Sequence, residues 1–442
     1  ILPYTTLTFL LCRKVTLLYC SNSILNKNVI SKTPQGWMPI KLGEYLNELS
    51  ERHNSSCNND IPVLSVTNKP GFVVSEEFFD RKVFSKDLSK YKIIHKGQFA
   101  YNPSRVNVGS IARLKEFDKG LLSPMYVVFE VKDGLEGLYL DYWISSQRFR
   151  NLVKASTQGS VRDSLNFSAL AEFPFNLPPK KEQKKIVSIL SCVDSVIEYT
   201  QAIIDQTQTL KKALMQELFT RGIPGRHKKF KNTEIGEVPE EWEISSLEEL
   251  SIDGINNGIF KKKHQFGKGT LLVNVLDTYT SLCVDPSTLD RVEATKEEIK
   301  RYVLHKGDLL FVRSSLKYEG VGQCCIILDN PEIMLYECHL MRVRPDQKKA
   351  FPLFLVYYCN SDFFKKALFS NAKIQTMTTL SQNDIGSIKI PLPEMDEQRR
   401  IAELLVGSER YIEKNKLAIV FLKNLKSALM QVLLSGEVRV KV

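Results

Sequence analysis

The sequence lacks any pair of cysteines at the spacing of a zinc or disulfide motif. Its nine cysteines are odd in number and irregularly placed, and no Cys-x-x-C occurs. Zinc modules and disulfide-stabilised secreted domains need regular, paired cysteines. We therefore expect free thiols, no metal site in this chain and a cytoplasmic protein.

Long apolar runs are also missing. The apolar stretch at residues 7–12 stops at Arg13 and Lys14, and no later run reaches 18 apolar residues. A membrane span needs about 20. No small-residue cleavage site follows the stretch, so the stretch is a poor match to a signal peptide. We interpret residues 1–35 as an N-terminal extension outside the fold and expect no membrane partner.

Catalytic signatures are absent as well. The chain contains no G-x-G-x-x-G, Walker A, H-E-x-x-H or G-x-S-x-G motif. One strand-like segment ends in Glu130-x-Lys132 with Asp118 upstream, a set that a Mg²⁺-dependent nuclease can use. The corresponding segment of the second half, residues 340–344, has no such carboxylate. We therefore expect a non-enzymatic chain and keep a standalone restriction enzyme as a disfavoured alternative.

The chain is long, and its composition is that of a mildly basic globular protein. The 442 residues carry 61 Lys and Arg against 50 Asp and Glu, a net charge of +11. A chain of this length exceeds one ordinary hydrophobic core, which predicts two or three domains. The positive charge favours a polyanionic partner, although a basic excess alone is weak support.

An internal repeat at an offset of 215 residues organises the chain. The opening Leu177, Pro178, Glu182, Gln183 and Ile186 recurs as Leu392, Pro393, Glu397, Gln398 and Ile401. A second match, residues 210–216 with residues 425–431, keeps the same offset. Apolar side chains recur between the matches at steps of three and four, which predicts two helices of about 60 Å.

We expect these two helices to pair antiparallel as a coiled coil. The predicted helix-pairing residues are Ile186, Ile189, Val193, Thr200, Ile203, Leu210, Leu214, Ile401, Leu404, Asn415, Leu422, Leu425 and Leu429. Thr200 and Asn415 occupy equivalent positions. They either form a polar pair that fixes the register or mark a solvated gap in the seam.

The pattern predicts an α+β fold with a pseudo-twofold internal repeat. A mixed module of strands and short helices precedes each long helix. The predicted segments are residues 1–35 (extension), 36–175 (first domain), 178–222 (first helix), 223–236 (basic linker), 237–390 (second domain) and 393–437 (second helix). The linker's basic residues either face solvent or contact phosphate.

Two similar basic domains joined by rigid helices suggest a molecular ruler. DNA presents its major groove again every 34 to 36 Å or so. Two such domains could therefore read two half-sites separated by an unread gap. The alternative is a helical protein-interaction scaffold with only weak, non-specific DNA contact.

The repeated openings Leu-Pro…Glu-Gln-(Lys/Arg)-(Lys/Arg)-Ile and the repeated Leu-Lys…Ala-Leu-Met-Gln segments resemble the specificity subunits of type I restriction–modification systems (HsdS). The linker at residues 230–242 and the segment at residues 109–126 are also typical. The resemblance covers residues 36–440. Residues 1–35 and the start of the first domain depart from it.

The resemblance implies a non-catalytic subunit with two target recognition domains that read double-stranded DNA in the major groove. It implies docking of two methyltransferase subunits, which bind S-adenosylmethionine, and of restriction subunits, which use ATP and Mg²⁺. The helices would set the gap between the two halves of an asymmetric site.

Base-reading residues are predicted from chemistry, since Arg pairs with guanine, and Asn or Gln with adenine. The candidates lie in loops at equivalent places of the two domains. They are Asn102, Ser104, Arg105, Asn107, Gln158, Ser160 and Arg162 in the first domain, and Lys261, Lys262, Lys263, His264, Gln265, Arg313, Ser314, Ser315, Lys317, Lys373, Gln375 and Thr376 in the second. Their Lys and Arg side chains could equally contact phosphate.

Overall fold

The computed structural model describes residues 33–53, 61–79, 84–85, 87–157, 164–279, 281–315, 320–371 and 378–441. It divides into two compact units. The first contains residues 1–197 and 421–442, and the second contains residues 198–420. Each unit therefore combines one α+β domain with the beginning of one long helix and the end of the other.

The first unit is built around an antiparallel sheet in the order β2-β9-β6-β7. Its strands are β1 (Met38–Lys41), β2 (Leu46–Leu49), β3 (Leu64–Val66), β4 (Phe72–Val74), β5 (Lys92–His95), β6 (Phe99–Tyr101), β7 (Ile111–Arg113), β8 (Lys119–Leu122), β9 (Val127–Val131) and β10 (Pro174–Leu177). Its helices are α1 (Ser75–Phe78), α2 (Gly137–Ile144), α3 (Gln147–Thr157), α4 (Phe167–Ala171) and the start of α5 (Lys180–Thr220).

The second unit repeats this plan with the sheet β14-β21-β17-β19. Its strands are β11 (Phe230–Thr233), β12 (Gly236–Pro239), β13 (Glu243–Ser246), β14 (Ser251–Asn257), β15 (Phe266–Val273), β16 (Asp290–Val292), β17 (Leu309–Val312), β18 (Ser314–Ser315), β19 (Cys324–Ile326), β20 (Met334–Tyr336), β21 (Leu340–Pro345), β22 (Thr378–Thr379) and β23 (Lys389–Leu392). Its helices are α6 (Lys296–Tyr302), α7 (Pro352–Cys359), α8 (Asp362–Asn371), α9 (Gln382–Gly386) and the start of α10 (Met395–Ser435).

A two-stranded ribbon joins the beginning and the end of each domain. In the first domain β1 pairs with β10, placing Met38 opposite Leu177. In the second, β13 pairs with β23, placing Glu243 opposite Leu392. A Leu-Pro step follows each ribbon, and proline at a helix start directs the chain into a new element. Each long helix therefore begins at the edge of its own domain.

Both long helices have 41 residues. In the first unit Ile186 and Leu190 of α5 share a core with Met430 and Leu433 of α10. In the second unit Leu218 and Phe219 of α5 share a core with Ile401 and Leu405 of α10. Within each unit the beginning of one helix thus packs on the end of the other. The antiparallel pairing and the α+β class predicted from the sequence are confirmed.

Each long helix ends at a glycine in the left-handed region. Gly222 and Gly436 both have φ of +73°. Residues with a β-carbon rarely adopt this conformation, which is why glycine terminates so many helices. At Gly222 the space is also closed, because a β-carbon there would lie 2.6 Å from Glu397 Oε1.

By length and composition alone, both long helices are long and apolar enough to cross a membrane. Windows in α5 and α10 reach mean hydropathies of 1.3 and 1.6. One or two such helices are weak support for a span. Of these windows 11% and 17% are buried, and apolar residues at both ends of each helix pack against domain cores.

Candidate DNA interface and its mounting

The loop after β6 presents three of the predicted base-reading side chains to solvent. Ser104, Arg105 and Asn107 are exposed. They lie in a turn that ends at Gly109, whose φ is +92°. The turn is held by backbone hydrogen bonds from Asn102 N to Ser110 O and from Arg105 N to Asn102 O, at 3.1 and 2.9 Å. The tip of the loop is thus polar and partly basic, and backbone hydrogen bonds hold the residues beneath it in place.

The prediction for Asn102 is wrong. Its side chain belongs to the base of this turn, and the residue is only 9% exposed. The Asn102 Oδ1 accepts from Ser104 N at 3.1 Å. A buried asparagine whose oxygen closes a turn on its own backbone supports the loop and is not presented to a base.

A cleft of 610 Å³ opens beside this loop. It lies between the β3–β4 turn and the 106–109 turn, and its lining includes Lys69, Arg113 and Arg150. Two further lining residues, Lys115 and Asp141, form an ion pair at 2.7 Å. The cleft adds basic side chains next to Asn107.

The basic loop of the second domain splits into free and engaged side chains. Lys262, Lys263 and His264 are exposed. Gln265 Oε1 accepts from Lys262 N at 3.0 Å and so caps its own turn. The loop can therefore offer three cationic or titratable groups to a polyanion.

The prediction for Lys261 is wrong. Its side chain is only 3% exposed and its Nζ lies 2.7 Å from Glu298 Oε2. The hydrogen bond from Lys261 lowers the pKa of Glu298, which keeps the carboxylate ionised. A lysine side chain that is buried and paired with a carboxylate in this way is not available to contact DNA.

The segment Arg313, Ser314 and Ser315 is half-buried. Ser314 and Ser315 form β18, which pairs with Thr379 and Thr378 of β22. Ser314 Oγ and His339 Nδ1 are 2.6 Å apart. His339 thus joins this candidate group, and no sequence signal pointed to it. The remaining predicted base-reading residues, Gln158, Ser160, Arg162, Lys317, Lys373, Gln375 and Thr376, lie outside the described residues.

The residues of the alternative nuclease set, Asp118, Glu130 and Lys132, lie on or next to two different sheets or contact other groups of the protein. Glu130 accepts hydrogen bonds from Asn47 and Gln98, at 3.2 and 3.3 Å. Lys132 Nζ donates to Glu44 O at 3.2 Å. Asp118 directly precedes β8, which pairs with β5, whereas Glu130 lies on β9 of the four-stranded sheet. These contacts give the Glu130 and Lys132 side chains structural partners.

A buried glutamate mounts the first domain on its helix. Glu182 accepts from Trp37 Nε1 at 2.9 Å and from Arg439 Nε and Nη2 at 2.7 and 2.8 Å. Burial favours the neutral carboxyl, but the hydrogen bonds from Arg439 and Trp37 outweigh it and lower the pKa of Glu182. The domain, the start of α5 and the chain after α10 meet at one carboxylate.

The second domain uses the equivalent glutamate. Glu397 accepts from Trp242 Nε1 at 3.2 Å and from Ile223 N at 3.1 Å, and it lies 2.9 Å from His227 Nε2. His227 and the neighbouring Arg226 belong to the basic linker, and Arg226 also reaches Glu397, at 3.5 Å. These two linker residues are held by protein carboxylates.

The glutamine after each glutamate completes the mounting. Gln183 accepts from Glu136 N and donates to Gly134 O and Pro178 O, all within 2.9 Å. Gln398 accepts from Phe351 N and donates to Lys349 O and Pro393 O within 3.1 Å. The Glu-Gln pair that identified the repeat thus binds domain loops to the helix start.

The predicted helix-pairing residues fall into two rows, each with a spacing of seven residues. The structure buries one of these rows. The buried or half-buried members are Ile186, Val193, Thr200, Leu214, Ile401, Asn415, Leu422 and Leu429. Asn415 Nδ2 donates to Tyr411 O of its own helix at 2.8 Å. Ile189 is half-buried against the first domain's core.

The prediction is wrong for Ile203, Leu210, Leu404 and Leu425, which are exposed, Leu210 to 67%. The second buried row lies one residue further along. Its buried apolar members are Leu190, Ile204, Leu218, Leu405, Ile412, Ile419 and Leu433. Both rows are apolar, and a period of 3.6 residues permits a step of three or of four, so the sequence pattern alone does not choose between them.

Comparisons with known proteins agree with this arrangement. The family described as "Type I restriction modification DNA specificity domain" matches residues 34–209 and 239–420. The MjaVIII specificity subunit of Methanocaldococcus jannaschii is 27% identical over 418 residues, covering 93% of this chain and 95% of that protein. The EcoKI specificity subunit of Escherichia coli is 23% identical and covers 72% of this chain and 68% of that protein.

Solved structures show the same fold. A chain from a structural study of a type I restriction–modification system matches with a TM-score of 0.58 at 18% identity, covering 92% of this chain and 100% of that one. The HsdS subunit from Thermoanaerobacter tengcongensis matches with a TM-score of 0.50 at 19% identity, covering 93% and 99%. With two matched segments that each include an α+β domain and most of its long helix, the chain belongs to the type I restriction–modification DNA specificity family, as its repeated motifs predicted.

Proposed function

We propose that this chain is the DNA specificity subunit of a type I restriction–modification complex and that each α+β domain reads one half of a split DNA site. The observation that carries the proposal is the duplicated mounting. Two domains of the same topology are fixed through Trp37–Glu182 and Trp242–Glu397 to the starts of two equal helices. Two similar domains, each attached to its own long helix, suit a DNA site with two halves.

The exposed loop side chains supply the chemistry for reading DNA. Arg105 and Asn107 can form bidentate pairs with guanine and adenine in the major groove. Lys262, Lys263 and His264 offer the second domain charge for phosphate or bases. Catalysis belongs to other subunits, as the absence of a catalytic motif led us to expect, and S-adenosylmethionine, ATP and Mg²⁺ are assigned to those partners. The cytoplasmic location stays a prediction.

Selection from a pool of random duplexes tests the proposal. We expect the full chain with its methyltransferase subunits to enrich two short motifs separated by a constant gap. Affinity for the selected site should fall steeply as salt rises, because bound phosphates release counterions. Equal affinity for the selected and shuffled duplexes would favour the scaffold alternative.

Alanine at Arg105 is expected to relax base preference in one half-site only. The loss of one bidentate contact costs about 1–3 kcal/mol of discrimination at that position. Sequencing of selected duplexes measures the preference at every position. Lys262→Ala is the matched variant in the second domain, and any change in base preference should fall in the other half-site. A uniform loss of binding with Arg105→Ala would instead identify a phosphate contact.

We assign docking of methyltransferase subunits to the exposed apolar row of the long helices. Ile203 and Leu210 on α5, and Leu404 and Tyr411 on α10, are exposed although the row repeats every seven residues. A soluble helix keeps a regular apolar row when a partner covers it. We propose two methyltransferase subunits, one for each copy of the repeat, and restriction subunits would join that complex.

Charged substitutions in this row should prevent assembly without unfolding the helices. We expect the double variant Ile203→Glu, Leu210→Glu to weaken binding of its methyltransferase subunit at least about tenfold, because each glutamate would have to be desolvated in the interface. Titration of the purified subunits measures the affinity. Gln208→Glu, also exposed on α5, is the control. Unchanged affinity in the double variant would contradict the assignment.

A further inference from the structure

A second set of polar contacts links each domain to both long helices. In the first unit Tyr142 of α2 donates to Asp194 Oδ2 of α5 at 2.8 Å. Lys426 of α10 lies 2.6 Å from Asp194 Oδ1 and 5.2 Å from the centre of the Tyr142 ring. One tyrosine, one carboxylate and one lysine thus join three separate elements.

The second unit contains the same cluster. Tyr357 of α7 donates to Glu409 Oε2 of α10 at 2.7 Å. Lys211 of α5 forms an ion pair with Glu409 and lies 5.5 Å from the centre of the Tyr357 ring. Each pair of equivalent residues differs by 215 in number, so the cluster is part of the duplication.

These clusters are poorly placed to serve stability alone. The Asp194, Lys426 and Glu409 side chains are about one-third exposed and Lys211 is 18% exposed, and ion pairs in partly exposed settings contribute little. Each domain already shares a large apolar core with its helices. What a short, directional hydrogen bond adds is a defined angle. Burial raises the pKa of both Tyr142 and Tyr357 above the usual tyrosine value. A tyrosine hydroxyl is protonated at neutral pH in any case, so both can donate.

The location of the clusters along the helices supports this role. Asp194 follows Glu182 by 12 residues, and Glu409 follows Glu397 by the same number. At 1.5 Å per residue this separates the two polar attachment points by about 18 Å. Together with the shared apolar core, two separated polar attachments define the direction of the domain relative to the helix more tightly than one attachment does.

We propose that Tyr142 and Tyr357 are positioning residues that fix the angle of each recognition domain and thereby restrict the complex to one gap length between half-sites. The inference rests on the proposed function. Base contacts come from the loops, so removal of these hydroxyls should change the accepted gap and leave the half-site motifs intact.

The test uses Tyr142→Phe, Tyr357→Phe and the double variant in the full chain with its methyltransferase subunits. Duplex selection reports the half-site motifs and the gap distribution in one experiment. We expect binding to sites with the gap changed by one base pair to rise about fivefold to tenfold relative to the preferred site. Tyr199→Phe, on α5 and 72% exposed, is the control and should keep the single gap.

A purely structural role predicts a different result, because loss of stability lowers the active fraction without changing which gaps the active molecules accept. The pair Lys211→Met and Lys426→Met provides a second test, since it removes the ion pair to each carboxylate while both tyrosine hydroxyls remain; we expect it too to widen the accepted gap. A wild-type gap distribution in the double phenylalanine variant would overturn this inference and leave the proposed function intact. If the unmodified chain selects no split site, the proposed function fails, and the inference fails with it.

Discussion

Replacing Glu397 with alanine is expected to lower the free energy of unfolding of the second unit by about 3–5 kcal/mol. The side chain is 1% exposed and accepts hydrogen bonds from Trp242 Nε1 and Ile223 N. His227 and Arg226 would also lose their buried partner. Buried donors without acceptors carry their full desolvation cost, so several such losses at one site add up to a large effect.

Hydrogen exchange of the full chain in increasing urea measures this locally. We expect backbone amides in β12 and in the Ile223 turn to lose protection first. Glu394→Ala is the matched control, because this glutamate is 80% exposed and contacts Arg226 at 3.4 Å at the protein surface. Equal losses for Glu397→Ala and Glu394→Ala would contradict a central role for the buried carboxylate.

Inserting four residues, one helical turn, after Gln206 is expected to lengthen the accepted DNA gap without changing either half-site. Four residues add about 6 Å of helix, which corresponds to one or two base pairs at about 3.4 Å each. Gln206 lies between the described polar clusters of α5, so both domains keep their own attachments. Duplex selection measures the gap and the motifs together.

The control is an insertion of the same four residues at the tip of the β11–β12 hairpin. Thr233 pairs with Gly236 there, and residues 234 and 235 form the turn. Surface hairpins tolerate added residues at small entropic cost. We expect this variant to keep the original gap. A changed half-site motif in the Gln206 insertion would contradict the separation of reading loops from spacing helices.

The duplication was predictable because the same residue types recur along the chain at a constant offset. The Glu-Gln openings and the constant offset revealed two equal helices, and helix length follows directly from residue number. The function of Glu182 and Glu397 was not predictable, since their partners Trp37, Arg439, His227 and Trp242 are distant in sequence. Only folding brings Trp37 and Arg439 to the Glu182 carboxylate, and His227 and Trp242 to the Glu397 carboxylate.

The candidate reading loops show the same limit at the level of single residues. Exposed Asn107 and Lys262 suit the predicted role, whereas Asn102 and Lys261 have the same chemistry and are occupied inside the protein. Composition and loop position cannot distinguish them, because a side chain's availability depends on neighbours such as Ser104 and Glu298.

By itself the sequence determined the family, the two domains, the antiparallel long helices and the lack of a catalytic motif, since all four depend on patterns along the chain. The tertiary structure decided which apolar row of each helix is buried and which polar groups remain available for DNA. The reason is physical. Two adjacent rows of a helix can be equally apolar, and only the surface that packs against them determines which one leaves water.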